Sequence, residues 1–272
     1  MDRVLFGRTL AAQRTKLVIV AAALGIWGVL MPLVYAELID TPLGAQFKQM
    51  VDSGVFPKQF AQFGGGNIFT LPGSIALGLI HPIAVSMMCV FALGFAAAAV
   101  AGERQRGTLE VVLARPISRR AAYGTLLVSL LVCLGLAILA ILVGTVVASA
   151  VLGKIGELNV ANLPLLGLNA VLLYSALGSV ALAASVSFDR LGPALGVGLG
   201  FTIVSYFFEI LGSLWPAAEP WQPLSVFHYL DTQSILDGRG DPFDLAVLAA
   251  VTLAGVAWSL AVFPRRDLAA PA

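Results

Sequence analysis

Residues 102–120 read GERQRGTLEVVLARPISRR and separate two apolar runs, each long enough to cross a lipid bilayer. Five of the sixteen Lys and Arg residues of the chain lie in this stretch. Leu109, Val112 and Leu113 nevertheless follow the i, i+3, i+4 spacing of one helix face. The stretch therefore predicts a short amphipathic helix inside a basic loop.

Local signals set the ends of this helix. Thr108 can cap its start, because the hydroxyl can accept from a free backbone N–H of the first turn. Pro116 ends it, because proline disfavours the helical backbone region for Arg115 before it. A short amphipathic helix of this kind can lie on a membrane surface or dock into the groove of a partner. The residue pattern leaves both possibilities open.

The composition indicates a polytopic membrane protein. Hydrophobic residues make up 59% of the chain and charged residues only 11%, and the mean hydropathy is +0.93. These values lie far outside the balance of soluble domains. The net charge of +1 gives no sign of nucleic-acid binding, and outside residues 102–120 the basic residues form no dense tract. We therefore expect the lipid bilayer, and no nucleic acid, as a partner.

Six apolar runs predict six transmembrane helices within a single domain, residues 1–272. The expected spans are 17–35, 73–101, 121–152, 163–188, 191–215 and 243–263, with outer loops at 37–72 and 216–241. Twelve basic residues fall on the side of the N-terminus and four on the other side. The positive-inside rule therefore predicts both termini in the cytoplasm. The first apolar run lacks a small-residue cleavage pattern, so we expect it to stay in the protein.

The amino-acid sequence of the central loop resembles that of a known protein family. Glu103, the run Gly107 to Glu110, the apolar turn to Leu113, and the run Pro116 to Arg119 follow one another in a fixed order without gaps. In these residues the loop resembles the cytoplasmic loop of the type-2 ABC exporter permeases. In that family the loop follows the second span and contains a coupling helix that sits on a separate ATPase subunit.

Two further segments are similar to the same family: residues 224–238 before the last span and residues 264–268 after it. The chain departs from the family at Val226, where proline is usual, and at residues 124–126, where a lysine is frequent. The resemblance therefore covers the layout of most of the chain but only three segments in detail.

The resemblance implies an all-α permease subunit of an ATP-driven exporter in the inner membrane of a bacterium. It implies an ABC ATPase as partner, which would bind ATP and magnesium, and no cofactor on this chain. A second copy or a related permease would complete the transporter. The residues expected to couple the chain to the ATPase are Glu103, Arg106, Thr108, Leu109, Glu110, Val112 and Leu113. Among them, Leu109 and Val112 would make the apolar contact. The apolar spans favour a hydrophobic or amphipathic cargo.

The fifth span carries two further candidate features. Gly192, Gly196 and Gly200 are spaced by four residues, which lets another helix approach closely, either inside the chain or between subunits. Glu209 is the only carboxylate that lies away from the ends of an expected span, and a carboxylate at a helix centre costs roughly 2.5 to 3.5 kcal/mol on insertion scales. It is a candidate for the translocation path, and the alternative is a residue near the outer end that reaches the interface.

Enzymatic chemistry finds no support in the sequence. A G-x-x-x-x-G-K-[ST] loop for nucleotide phosphates does not occur. Two histidines and two cysteines make neither a metal-ligand set nor a recognisable catalytic pair, so we expect no metal site and no catalytic residue. Two other functions remain open: a proton-coupled secondary transporter that uses Glu209, and a non-transporting membrane scaffold that recruits an ATPase.

Overall fold

The computed structural model of the chain describes residues 2–55, 67–109 and 117–266. Within these ranges every regular element is helical, and six helices are long and apolar enough to cross a membrane. The predicted all-α fold with six spans is confirmed. Helices are the expected solution because a bilayer offers the backbone no hydrogen-bond partners, so each span must satisfy its own N–H and C=O groups.

The helices are α1 (Arg3–Asp40), α2 (Pro42–Asp52), α3 (Leu71–Ile80), α4 (Pro82–Ala97), α5 (Arg119–Val151), α6 (Leu163–Ser187), α7 (Leu191–Leu214), α8 (Thr232–Leu236) and α9 (Pro242–Val262). The six spanning helices are α1, α4, α5, α6, α7 and α9. A π-helical segment and one short helical turn extend α4 as far as Gln105. Short 3-10 segments occupy the connections after α5 and after α7.

Two helix bounds differ from those expected. The first span belongs to a helix that already begins at Arg3, where the Asp2 side chain accepts a hydrogen bond from Leu5 N and caps the first turn. The run 73–101 forms two helices, α3 and α4, which meet at His81. Pro82 has no N–H to continue the ladder of α3 and suits the first turn of a new helix, so the chain turns there.

Helices α1 and α5 run parallel and touch through their backbones. A Cβ atom added to Gly28 would lie 2.2 Å from the carbonyl oxygen of Ile141, and one added to Gly144 would lie 2.2 Å from that of Gly25. The Thr145 hydroxyl donates to the Gly28 carbonyl oxygen at 3.2 Å. Glycine at these positions is therefore what lets the two long helices pack side by side.

Helix α6 lies at the centre of the bundle. Its side chains pack against α4, α5, α7 and α9, and Leu166, Leu173, Leu177 and Ala181 are fully buried. Several spans also expose apolar faces, such as Ile203 and Val204 on α7. Such faces are expected where lipid is the solvent. Residues 56–66, within the expected outer loop 37–72, lie outside the described residues.

Candidate functional site

One end of the bundle, which holds the start of α1, joins most of the spans through polar contacts. Asp2 N donates to Thr125 Oγ1 on α5 at 3.0 Å. The Arg119 guanidinium at the start of α5 donates to carbonyl oxygens after α9, those of Phe263 at 3.3 Å and Arg266 at 2.5 Å. We call this the basic end of the bundle; it comprises residues 2–16, 98–109, 117–126, 185–191 and 263–266.

The second span enters the basic end through a widened helical turn. Residues Ala98–Gly102 form a π-helix that directly continues α4. The hydroxyl of Ser185, fully buried on α6, accepts hydrogen bonds from Val100 N at 3.1 Å and Ala101 N at 2.9 Å. It also donates to the Ala97 carbonyl oxygen at 2.8 Å. Single π turns inside helices occur frequently at functional sites, and here one side chain of a neighbouring span satisfies the altered ladder.

An ion-pair cluster centred on Asp189 connects three spans just beyond this turn. Its carboxylate lies 2.6 Å from the Arg104 guanidinium and 2.5 Å from that of Arg266. Arg266 also donates to the Val186 carbonyl oxygen at 2.9 Å. The short α6–α7 turn, the extension of α4 and the end of α9 are thereby tied together. Sequence reasoning missed this cluster, because nothing in the local pattern around Asp189 indicates which distant arginines it meets.

The expected coupling residues that the structure describes form one hydrogen-bonded turn. The Glu103 carboxylate pairs with Arg106 and accepts from the Thr108 hydroxyl at 2.6 Å, while Thr108 N donates to the Glu103 carbonyl oxygen at 3.0 Å. Gly107 allows this reversal, because its φ of +69° is strained for other residues. Arg106 keeps 57% of its side chain exposed, so part of it is available to a partner.

Leu109 differs from its neighbours in the turn, because only 5% of it is exposed and it belongs to the main hydrophobic core. Its side chain faces the spans of its own chain. Glu110, Val112 and Leu113, and with them most of the predicted amphipathic helix, lie outside the described residues.

The three glycines of the fifth span line an outward face of α7. Gly192, Gly196 and Gly200 are exposed, and no described atom would lie within 4 Å of a Cβ added to any of them. Gly198 lies on the opposite face, where an added Cβ would lie 2.9 Å from Ala181 Cβ. Within the described part of the chain, close packing of α7 therefore uses Gly198, and the other three glycines are left open.

Glu209 lies near the other end of α7, beneath the segment that connects α7 to α8. Only 7% of the residue is exposed, and its Oε2 atom has no hydrogen-bond partner among the described residues. The nearest cationic candidate is His228, whose Nδ1 lies 3.9 Å from that oxygen. Gln222 holds the segment in place by donating to the Glu209 carbonyl oxygen at 3.3 Å and to Ser213 Oγ at 3.1 Å.

Metal-ligand side chains do not gather in the described ranges. No group of three His, Cys, Asp or Glu residues comes together there in a way that could hold an ion. Cys89 and Cys133 are buried as free thiols.

Six helices long and apolar enough to cross a membrane define a multi-pass membrane protein. The sequence matches the family described as ABC-2 family transporter protein over residues 11–268. Because this match covers nearly the whole chain, the chain belongs to that family. A comparison with curated proteins finds no match. The chain is thus a permease subunit of an ABC transporter, and the kind of partner that goes with such a subunit is an ABC ATPase.

Proposed function

We propose that this chain couples ATP hydrolysis on a separate ABC ATPase to the export of a hydrophobic or amphipathic substrate. In this proposal it lies in the inner membrane of a bacterium, with the basic end and both termini in the cytoplasm. The observation that carries the proposal is the Asp189 cluster, in which Arg104 and Arg266 link the start of the central loop to the α6–α7 turn and to α9. A displacement of the loop would therefore act on several spans at once.

The contact with the ATPase would be made by the outer side of the central loop. Arg106 is half exposed, and Glu110, Val112 and Leu113 follow it in the sequence. Leu109 is buried against the spans, so its part in the proposal is to anchor the loop and pass its movement on. ATP and magnesium would stay on the partner.

A second permease copy, or a related chain, would complete the transporter. The open face of Gly192, Gly196 and Gly200 supports α7 as part of that interface, because small residues let helices approach within backbone distance in lipid. The substrate would then pass between the two permeases.

A second candidate function, proton-coupled transport, is favoured by Glu209. A buried carboxylate without a hydrogen bond, 3.9 Å from a histidine, has the composition of a proton-transfer pair. This function needs no ATPase, and an imposed proton gradient would drive it.

The deciding experiment is purification of the tagged chain from its native membrane in mild detergent, followed by an assay for vanadate-sensitive ATP hydrolysis. We expect an ATPase subunit to co-purify. A chain that emerges alone and inactive from several mild detergents would contradict the proposal, and transport driven by a proton gradient would then be tested.

Two charge reversals sharpen this assay. Arg106→Glu places two carboxylates beside each other in the loop and is expected to reduce the bound ATPase activity. The control is Arg239→Glu, which reverses the cation of the Asp237 ion pair outside the basic end and should leave that activity unchanged. If Arg106 contacts the ATPase, adding Glu103→Arg to Arg106→Glu will not restore activity. Full restoration by the double exchange would limit Arg106 to a role inside the loop. Val112→Asp is expected to lose the ATPase.

A further inference from the structure

A cavity of about 280 Å³ opens at the basic end, between the first turns of α1, the end of α4 with its extension, and the start of α5. It is formed because α1 packs closely on α5 but leaves a wedge against the second span at this level. Its deeper wall is apolar and includes Phe95, Leu109 and Leu126. Because the cavity lies between helices that are long and apolar enough to cross a membrane, an occupant with an apolar part would suit it.

The face of α1 that lines the cavity is polar where a packed helix would be apolar. The lining positions of α1 follow the spacing i, i+3, i+4, i+7, i+8, i+11, which is one continuous helix face. They are Leu5, Arg8, Thr9, Ala12, Gln13 and Lys16. Arg8 and Lys16 are exposed, so their cationic groups stand at the rim of the cavity, whereas Gln13 is partly buried. The sequence pattern alone did not group these residues.

The two cations find no acid in the described chain. Neither Arg8 nor Lys16 forms an ion pair with a described residue. The one carboxylate that lines the cavity, Glu103, is already used by Arg106 and by the Thr108 hydroxyl. Gln13 Oε1 is enclosed and has no hydrogen-bond donor in the described residues. The rim therefore carries two unpaired positive charges and one acceptor without a donor.

We propose that this cavity is a binding site for an anionic phospholipid. The phosphate would lie against Arg8 and Lys16, and the first part of an acyl chain would lie against Phe95 and Leu126. Basic pockets between transmembrane helices recognise acidic lipid headgroups in this way. The cavity volume is at or just below the low end of the range for small-molecule sites, roughly 300 to 1,000 Å³. The cavity would therefore hold the headgroup region of the lipid, while the rest of the acyl chains would stay in the bilayer. The site adds a ligand to this chain and does not depend on the ATPase.

The test is lipid retention by the purified full chain in mild detergent, titrated with phosphatidylglycerol or phosphatidylcholine and read by native mass spectrometry. We expect phosphatidylglycerol to be retained preferentially, and the preference to weaken at high salt because exposed charges are screened. The double variant R8Q/K16Q should lower the affinity for phosphatidylglycerol by about tenfold or more, since each basic residue near a phosphate adds to binding.

The chain offers a matched control on the same helix. Arg3 and Arg14 are exposed, as Arg8 and Lys16 are, but they do not line the cavity. The variant R3Q/R14Q therefore removes the same charge and should leave retention near that of the unmodified chain. The charge-preserving R8K/K16R should retain the lipid as well. If R8Q/K16Q does not yield folded protein, Ala12→Trp, which fills the cavity from an exposed position, should abolish retention without removing a charge.

Three outcomes would overturn the proposal. Equal retention of the two lipids would mean that the rim does not select an acidic headgroup. An equal loss of phosphatidylglycerol retention in R3Q/R14Q and R8Q/K16Q would mean that only the overall charge of α1 matters. Undiminished retention in Ala12→Trp would show that the lipid binds elsewhere. None of these results depends on whether an ATPase binds, so they are separate from a failure of the proposed function.

Discussion

The Ser185 hydroxyl oxygen lies 2.9 Å from the backbone nitrogen of Ala101, in the π-helical segment that leads from the second span into the central loop. One buried side chain of the central helix α6 thus satisfies the backbone where the second span changes its winding. Residues 103–109 follow directly after this contact.

Ser185→Ala is expected to destabilise the protein by about 1 to 3 kcal/mol, because the N–H groups of Val100 and Ala101 lose a buried acceptor. Thermal unfolding of the purified chain in detergent measures the change. Ser129→Ala is the matched control, since Ser129 is equally buried but donates only to Thr125 O in its own helix. Equal losses in the two variants would contradict the role given to Ser185.

Asp189→Asn is expected to reduce permease-dependent ATP hydrolysis by about fivefold or more, the lower range of measured coupling energies between sites. The neutral side chain weakens the links to Arg104 and Arg266, so loop movement reaches α7 and α9 less effectively. The measurement is ATPase activity of the co-purified complex at equal permease content. Asp237→Asn, which weakens an exposed ion pair with Arg239 outside the basic end, should leave activity unchanged.

Gly144→Ala is expected to destabilise the fold by about 1 to 3 kcal/mol, because the added methyl group meets the Gly25 carbonyl oxygen and forces α1 and α5 apart. Gly196→Ala adds the same atom on an open face of α7 and should stay within about 0.5 kcal/mol of the unmodified chain. Unfolding midpoints in detergent compare the two. A destabilised Gly196→Ala monomer would mean that this face packs inside the chain.

Gly196→Leu tests the same face for association. The monomer has room for the side chain, so folding should persist, whereas a second permease packed there would be displaced. Cross-linking in native membranes should show less of the paired species than the unmodified chain does. Unchanged pairing would exclude this part of α7 from the interface.

Lowering the pH from about 7 to about 5 should reduce the contribution that His228 makes to the stability of the fold. Burial lowers the pKa of His228 below the ordinary value of about 6.5, and the Asp231 carboxylate opposes this in part. At this residue the unfolded state then binds more protons than the folded state in this window, so protonation of His228 favours unfolding. The check is the slope of the unfolding midpoint against pH, which His228→Gln should flatten. An unchanged slope would exclude His228 as a source.

Much of the fold follows from the order of apolar and polar residues along the chain. Apolar runs of about twenty residues must become helices in lipid, and prolines and glycines between them predict the connections. The division of the run 73–101 into two helices at Pro82 was not predicted, because the sequence is apolar on both sides of this residue. Proline lacks an N–H group and so ends the first helix, although the apolar run continues past it.

The candidate site was predictable only where its residues are neighbours in sequence. Glu103, Arg106 and Thr108 were named together, and their turn is local. The helical spacing of Leu109 predicts that it lies on an apolar face. Spacing does not distinguish a face that contacts a partner from one that packs in the chain's own core, where Leu109 lies.

What the sequence by itself determined about this protein is its class, its six spans and the position of its charged loop, because these depend on the hydropathy and order of adjacent residues. The tertiary structure alone decided that Ser185 meets Ala101, that Asp189 gathers Arg104 and Arg266, and that Arg8 and Lys16 share one cavity. These residues are brought together by the packing of helices far apart in the chain. A pairing over such distances depends on which helix faces meet, and no local pattern encodes that.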